Sequence, residues 1–259
     1  MGFADKLKGK KIAVIGGSSG IGYGAAQILL EAGADVTIIS SSQDKVNSAV
    51  EGLQSTLFQS AQGKVNINGA VGDVRNEASF TELLVSLAPL DHIVFSSVDK
   101  IIRGPLAEAD LDEAKYLFGV KFWGSVVVAK AIAKHAIISP AGGSLTLTSG
   151  AAAIRPKKNA TIGSALNAGV ITLTAALADE LASKKIRVNT VIPGLVKTEL
   201  WDKLGHSAEK QAEIFENGQQ SLPVGFVATP EDIAEAYLFF VRADYSTGGV
   251  VVIDGGGSL

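Results

Sequence analysis

The feature that most constrains this chain is a repeated pairing. Short apolar runs rich in β-branched residues are each followed by a longer stretch of helical pattern. The runs predict strands at Lys11–Gly16, Asp35–Ser40, Val65–Gly69, His92–Ser96, Ser144–Thr148, Arg187–Ile192 and Gly249–Ile253. The stretches between them predict helices at Gly20–Ala32, Asp44–Gln59, Glu77–Leu87, Leu111–Ala136, Ser164–Ala182 and Pro230–Val241. Strand–helix alternation requires crossover connections, which build a parallel sheet with helices on both faces. The cores Ile12-Ala13-Val14-Ile15 and Val250-Val251-Val252-Ile253 are continuous apolar runs, without the polar alternation of a half-exposed strand. Thr229-Pro230-Glu231-Asp232 is a helix start, with a capping Thr, Pro at the first helical position and acids in the first turn. No linker, repeat or low-complexity tract interrupts the pattern. The expectation is an α/β fold, a single domain over residues 1–259 with a doubly wound parallel sheet of seven strands. Residues 195–225 are its least regular part and follow a strand's carboxyl end, where a substrate lid would sit.

Composition narrows the function classes. With 23 Lys+Arg against 26 Asp+Glu the net charge is −3, so the chain lacks the basic excess of a nucleic-acid binder. A 47% hydrophobic content supplies a core and excludes disorder. Without cysteine there is no disulfide, thiolate metal site or thiol nucleophile. His92, His135 and His206 have no metal-ligand spacing, and no metal is expected. The first ten residues lack the apolar core of a signal peptide, and no run of about 20 apolar residues suggests a membrane span. A soluble, cytoplasmic protein acting on a small molecule is expected.

The first strand runs into Gly16-Gly17-Ser18-Ser19-Gly20-Ile21-Gly22, and a helix follows. Glycines let backbone approach a pyrophosphate that rests on the helix N-terminus. This loop resembles that of the short-chain dehydrogenase/reductase family, with Ile15 where the family's loop begins with Thr. Asp73-Val74 resembles the family's adenine-contacting pair. Asn189-Thr190-Val191-Ile192-Pro193-Gly194 with Thr198 resembles its nicotinamide-holding segment, and Asp254-Gly255-Gly256 its last strand end. The resemblance covers roughly residues 8–257 and implies a Rossmann-type fold. It implies cofactor contacts at Gly16, Ser18, Ser19, Gly20, Ile21, Asp73, Val74, Ser96, Ser97, Pro193, Gly194, Val196 and Thr198. Where an acid would repel a 2′-phosphate, after the second strand, the chain has Ser40-Ser41-Ser42, with Lys45 following. NADP(H) is therefore expected over NAD(H).

Family members usually carry a catalytic Asn, Ser, Tyr and Lys. Alignment through Leu173-Thr174-Ala175-Ala176-Leu177-Ala178 puts the Tyr position at Gly163 and the Lys position at Asn167. The Ser position falls on Gly150, one residue after Ser149, and the Asn position on Lys121. Without the Tyr–Lys pair, alcohol–ketone interconversion by the family mechanism loses its acid, worth about 10²–10⁴-fold. Hydride transfer to an acceptor needing no simultaneous proton, such as an iminium, stays open. Lys121, Arg155 and Ser149 are the candidate replacements. Equally open are a structural amine at Lys121 and a solvated basic loop at Arg155. Asp99 is expected at the surface or paired with a lysine, and His92 in a structural role. Trp123 is expected in the core, and Trp201 over the substrate or simply packed.

Three functions compete: an atypical NADP(H)-dependent reductase, a scaffold without chemistry, and a repurposed enzyme of isomerisation or cyclisation. Atypical family members in fungal alkaloid pathways offer a precedent for iminium reduction coupled to cycloaddition. The apolar Leu200, Trp201, Ile214, Phe215 and Phe226 suit a hydrophobic substrate. The resemblance also implies a homodimer or homotetramer, built on the Leu111–Ala136 and Ser164–Ala182 helices and the last strand.

Overall fold

A computed structural model describes residues 5–59, 65–205 and 207–259. Seven strands form one parallel sheet: β1 Lys11–Ile15, β2 Asp35–Ser40, β3 Ile67–Val71, β4 His92–Phe95, β5 Gly143–Thr148, β6 Ile186–Pro193 and β7 Val250–Ile253. Their order is β3-β2-β1-β4-β5-β6-β7. The chain winds outward in one direction from β1 and in the other from β4, so the crevice lies outside the carboxyl ends of these two strands.

Successive residues of β1 serve opposite faces. Ala13 and Ile15 pack with Phe95, Val128 and Val170 on one side. Ile12 and Val14 pack with Leu29, Ile233 and Tyr237 on the other. The second side holds α1 (Gly20–Glu31) and α8 (Pro230–Arg242), whose entry is fixed as expected: the Thr229 amide donates to Asp232 Oδ2 at 2.7 Å. The first side holds α3 (Glu77–Leu87) and α6 (Thr161–Glu180), with the tract from Leu111 to Lys134.

Many element ends shift by one or two residues from expectation, and three departures are the clearest. β3 spans Ile67–Val71 rather than Val65–Gly69. α6 begins three residues early, at Thr161. The expected single helix 111–136 is α4 (Leu111–Phe118), a π-helical turn at Gly119–Trp123 and α5 (Gly124–Lys134). Within residues 195–225 a 3₁₀-helix, Glu199–Leu204, is followed by a full helix, α7 (Ala208–Ser221). A Ser207 hydroxyl accepting from the Lys210 amide starts α7. Leu111–Lys134 and Thr161–Glu180 are long and apolar enough to cross a bilayer, contrary to the expectation from the sequence. Their apolar residues Val120, Val128, Ile132, Val170 and Leu177 instead join the core beside the sheet.

His92 has the structural role expected. It opens β4, buried, opposite Ser144 of β5, and its Nδ1 lies 2.9 Å from the Ser144 hydroxyl. Burial, followed by the Arg187 charge, pushes its pKa down to about 4. An unfolded chain takes up this proton near pH 6.5 and the folded one only near 4. Stability held above pH 6.5 is thus lost as pH falls from 6.5 through 4, by on the order of 3 kcal/mol. Denaturation between pH 7 and 4 should show this loss, and His92→Gln should flatten it; an equally steep loss in the variant would move the effect to other groups.

Candidate active site

The crevice opens into a cleft of about 710 Å³. Its floor is set where β1 ends. Gly16 has φ +82°, and a Cβ there would stand 2.7 Å from the Ser97 amide nitrogen. In the first turn of α1, a Cβ on Gly22 would come within 2.1 Å of the Gly16 carbonyl oxygen. The loop is packed backbone to backbone, and only glycine fits at these two positions. Ser19, preceding α1, makes no side-chain capping bond, and it lines the cleft where α1 begins.

Every cofactor residue expected from the sequence lines this cleft except Ser42. The Ser42 carbonyl instead accepts from the Val46 amide and opens α2 (Gln43–Gln59). Ser18 Oγ donates to Ser40 Oγ at 3.0 Å. The Asp73 carboxylate accepts from the Arg75 amide at 3.0 Å, and Val74 is buried beside it. Asp99 pairs with the Arg75 guanidinium rather than with a lysine, and that guanidinium lies 4.2 Å over the Tyr116 ring. Thr198 reaches over the phosphate loop, its Cβ 3.3 Å from where a Cβ on Gly20 would be.

The opposite wall carries the candidate chemistry. Lys121 is the middle residue of the π turn, a distortion that often marks function. Ser125 Oγ donates to the Lys121 carbonyl at 2.7 Å. Lys121 Nζ donates to the Ser149 carbonyl and to Asn167 Oδ1, each at 2.8 Å. Asn167 Nδ2 donates to the Gly163 carbonyl, and Ser149 Oγ to the Asn167 carbonyl, both at 2.8 Å. The partners of Lys121 among the described residues are therefore neutral oxygens. Burial pushes its ammonium down to about 8. An amine titrating there can give up a proton near neutral pH.

Of the three candidate replacements, Lys121 and Ser149 meet in this cluster. Arg155 lines the same cleft, but its guanidinium is engaged by the carbonyl oxygens of Gly257 and Leu259. Trp123 is 57% exposed rather than in the core. Trp201 is buried and packed: Nε1 donates to the Val196 carbonyl at 2.8 Å, and its ring meets Phe215 edge-on. It also lines the cleft, so packing and cleft contact are both realised.

Two residues escaped the sequence reading. Asn167 is one; its signal is a complement, since the resemblance implies an amide where Lys121 stands and a lysine where Asn167 stands. Tyr237 reaches from α8 to place its hydroxyl 2.6 Å from Thr148 Oγ1 at the carboxyl end of β5. Burial pushes its pKa up to about 12, so it stays protonated.

A doubly wound parallel sheet with a glycine loop at its switch point defines a dinucleotide-binding α/β protein. The model of an SDR-like Rossmann domain matches residues 3–259, and the chain belongs to the short-chain dehydrogenase/reductase family. Short-chain dehydrogenase/reductase fsr5 of Gibberella fujikuroi is 33% identical, covering 98% of this chain and 96% of the relative. Short-chain dehydrogenase/reductase malC of Malbranchea aurantiaca is also 33% identical, covering 97% and 96%. The solved structure of MalC reductase/Diels-Alderase from Malbranchea aurantiaca matches with a TM-score of 0.84 at 28% identity, covering 98% of both chains. A small-chain dehydrogenase in complex with NADPH matches with a TM-score of 0.77 at 30% identity, covering 97% of this chain and 99% of that one.

At Gly163, where the resemblance implies the family's Tyr position, a Cβ would stand 2.7 Å from the Ile102 carbonyl oxygen. A side chain there must displace backbone, not a flexible neighbour. Gly163→Ala should therefore destabilise the fold by about 1–3 kcal/mol. Chemical denaturation checks this, and an unchanged midpoint would show that the 101–103 segment yields freely.

Proposed function

We propose that this protein is an NADP(H)-dependent reductase of a small hydrophobic carbonyl or imine compound, with Lys121 in place of the family's usual acid. The observation that carries this reading is the Lys121 ammonium, held in the cleft by two neutral oxygens and titrating near 8. NADPH, when bound, supplies the hydride. The phosphate loop fits such a cofactor because its backbone is closely packed and the N-terminus of α1 is left uncapped. Ser40 and Ser41 offer hydroxyls to a 2′-phosphate, and Lys45 lines the same cleft. A related structure holds NADPH, in keeping with this choice.

Two N–H groups of Lys121 are committed to Ser149 and Asn167, which aim the amine. The third is left for an oxygen or nitrogen that gathers negative charge as the acceptor is reduced. Donating that proton leaves a neutral amine, which burial tolerates better than the ammonium. With no carboxylate among its partners, Lys121 suits a neutral acceptor better than an iminium, whose charge it would oppose. Leu200 and Trp201 give the chamber its apolar wall, and residues 195–225 act as its lid.

A cyclisation in the same chamber is a second reading. It is favoured by the similarity to a reductase/Diels-Alderase and by a glycine where the proton-donating Tyr would stand.

Lys121→Met keeps the stem and removes the charge. Turnover with NADPH should fall about 10²-fold or more, with little change in NADPH affinity. Unchanged turnover would return Lys121 to a structural role. Cyclisation without reductant would instead favour the second reading.

The protein is read as a homodimer or homotetramer, as the family resemblance implies. Tyr116 and Trp123 stand exposed on the 111–134 tract, and Val250 and Val252 on the edge strand. Sedimentation at micromolar concentration should give a multiple of 26.7 kDa; a lone monomer contradicts this.

A further inference from the structure

Building on the NADP(H) reading, we infer that Lys203, on the 3₁₀-helix Glu199–Leu204, completes a two-lysine clamp with Lys45 for a phosphomonoester on the adenosine ribose. The 2′-phosphate then docks the lid segment as well as selecting the cofactor.

Four groups from three parts of the chain line the same cleft: Ser40 and Ser41 at the end of β2, Lys45 in the first turn of α2, and Lys203 from beyond β6. Ser40 accepts from Ser18, which joins the phosphate loop to the same patch. Among the described residues neither lysine has a carboxylate within ion-pair distance. The two charges instead act on each other: after burial, Lys45 is the next cause that lowers the Lys203 pKa. Like charges held close repel, and an anion between them turns that repulsion into two attractions. Hydroxyl donors beside two ammoniums match a phosphate dianion.

The position of Lys203 gives this contact a second consequence. Its 3₁₀-helix is pinned from below by Trp201, which donates to the Val196 carbonyl and packs against Phe215 of α7. Gln211 of α7 donates to Asp202 at 3.0 Å, tying the two helices together. Leu200 and Trp201 line the cleft from the same short helix. A phosphate that orders Lys203 therefore orders the residues facing the substrate. NADH, lacking the phosphate, leaves this end of the segment unheld.

The test is by binding and by amide hydrogen exchange, using NADPH, NADH, 2′,5′-ADP, 5′-AMP and inorganic phosphate. Lys203→Met should weaken NADPH about tenfold and leave NADH unchanged, and Lys203→Arg should restore NADPH. In the unaltered protein 2′,5′-ADP should slow exchange in residues 199–204, while 5′-AMP and inorganic phosphate at equal concentration should not. Lys203→Met should abolish that protection. Lys203 is exposed, so the variant should keep its melting temperature. If Lys203→Met binds NADPH as tightly as the unaltered protein, which still prefers NADPH to NADH, the clamp is wrong and the NADP(H) reading stands. Equal affinity of the unaltered protein for NADPH and NADH removes the NADP(H) reading itself and the clamp with it. Protection by 5′-AMP or by inorganic phosphate equal to that by 2′,5′-ADP overturns the coupling to a ribose-borne phosphate.

Discussion

The backbone of Gly16 lies against that of Ser97 with no space for a methyl group between them. This contact closes the switch point, because β1 and β4 are adjacent strands whose connections leave in opposite directions. Gly22 packs its first helical turn onto the same glycine, so the entry of α1 is set by the strand end. The opening of the cleft follows from this close approach. It faces one way because the carboxyl ends of β1 and β4 are held together while their crossovers diverge.

On the far wall the proposed chemistry rests on the pairing of Lys121 with Asn167. The resemblance implies a cation at position 167 and an amide at position 121, whereas the chain has Asn167 and Lys121. The two side chains come from α6 and the π turn, and they meet directly at 2.8 Å. The arrangement puts the positive charge on the π turn rather than on α6, with a hydrogen bond joining the two elements. It also changes the company of the charge. Carbonyl and amide oxygens hold an ammonium by hydrogen bonds worth about 1.5–3 kcal/mol each, but they do not neutralise it as a carboxylate would. Burial depresses the Lys121 pKa, and no carboxylate is there to offset it.

Strands were legible in the sequence wherever both faces are buried, since Ile12–Ile15 and Val36–Ile39 leave no other element type open. β3 was misplaced because Ile67-Asn68-Gly69-Ala70-Val71 is an edge strand with polar and small residues, so the apolar pattern marks its ends poorly. The π turn was hidden because Gly119-Val120-Lys121-Phe122-Trp123 continues the helical pattern on both sides; one extra residue in a turn changes no propensity. α7 was missed because its sequence is largely polar and broken by Gly218, and its start depends on one Ser207 cap. Within the site, the cofactor loop was readable because its residues lie close together in sequence. The Lys121–Asn167 bridge was not, because it joins positions 46 residues apart through side-chain hydrogen bonds. Ser42 was misread for the opposite reason: nearness in sequence to Ser40 does not keep it in the cleft once α2 begins.

Tyr237 shows how the two faces of the sheet are joined behind the site. Its ring is buried among the α1 and α8 side chains, while its hydroxyl reaches Thr148 Oγ1 at 2.6 Å. Thr148 in turn donates to the Phe95 carbonyl at 2.7 Å. The ends of β4 and β5 are thus tied to a helix on the opposite side from Lys121. Such a link fixes the height of the Ser149 carbonyl, which follows Thr148 directly and accepts from the Lys121 ammonium. A phenol kept neutral by burial suits this task, because it can bridge the strand ends without adding a second charge beneath the amine. The position of the candidate acid therefore depends on both layers of helices, with the π turn carrying the amine and α8 supporting the strand ends it leans on.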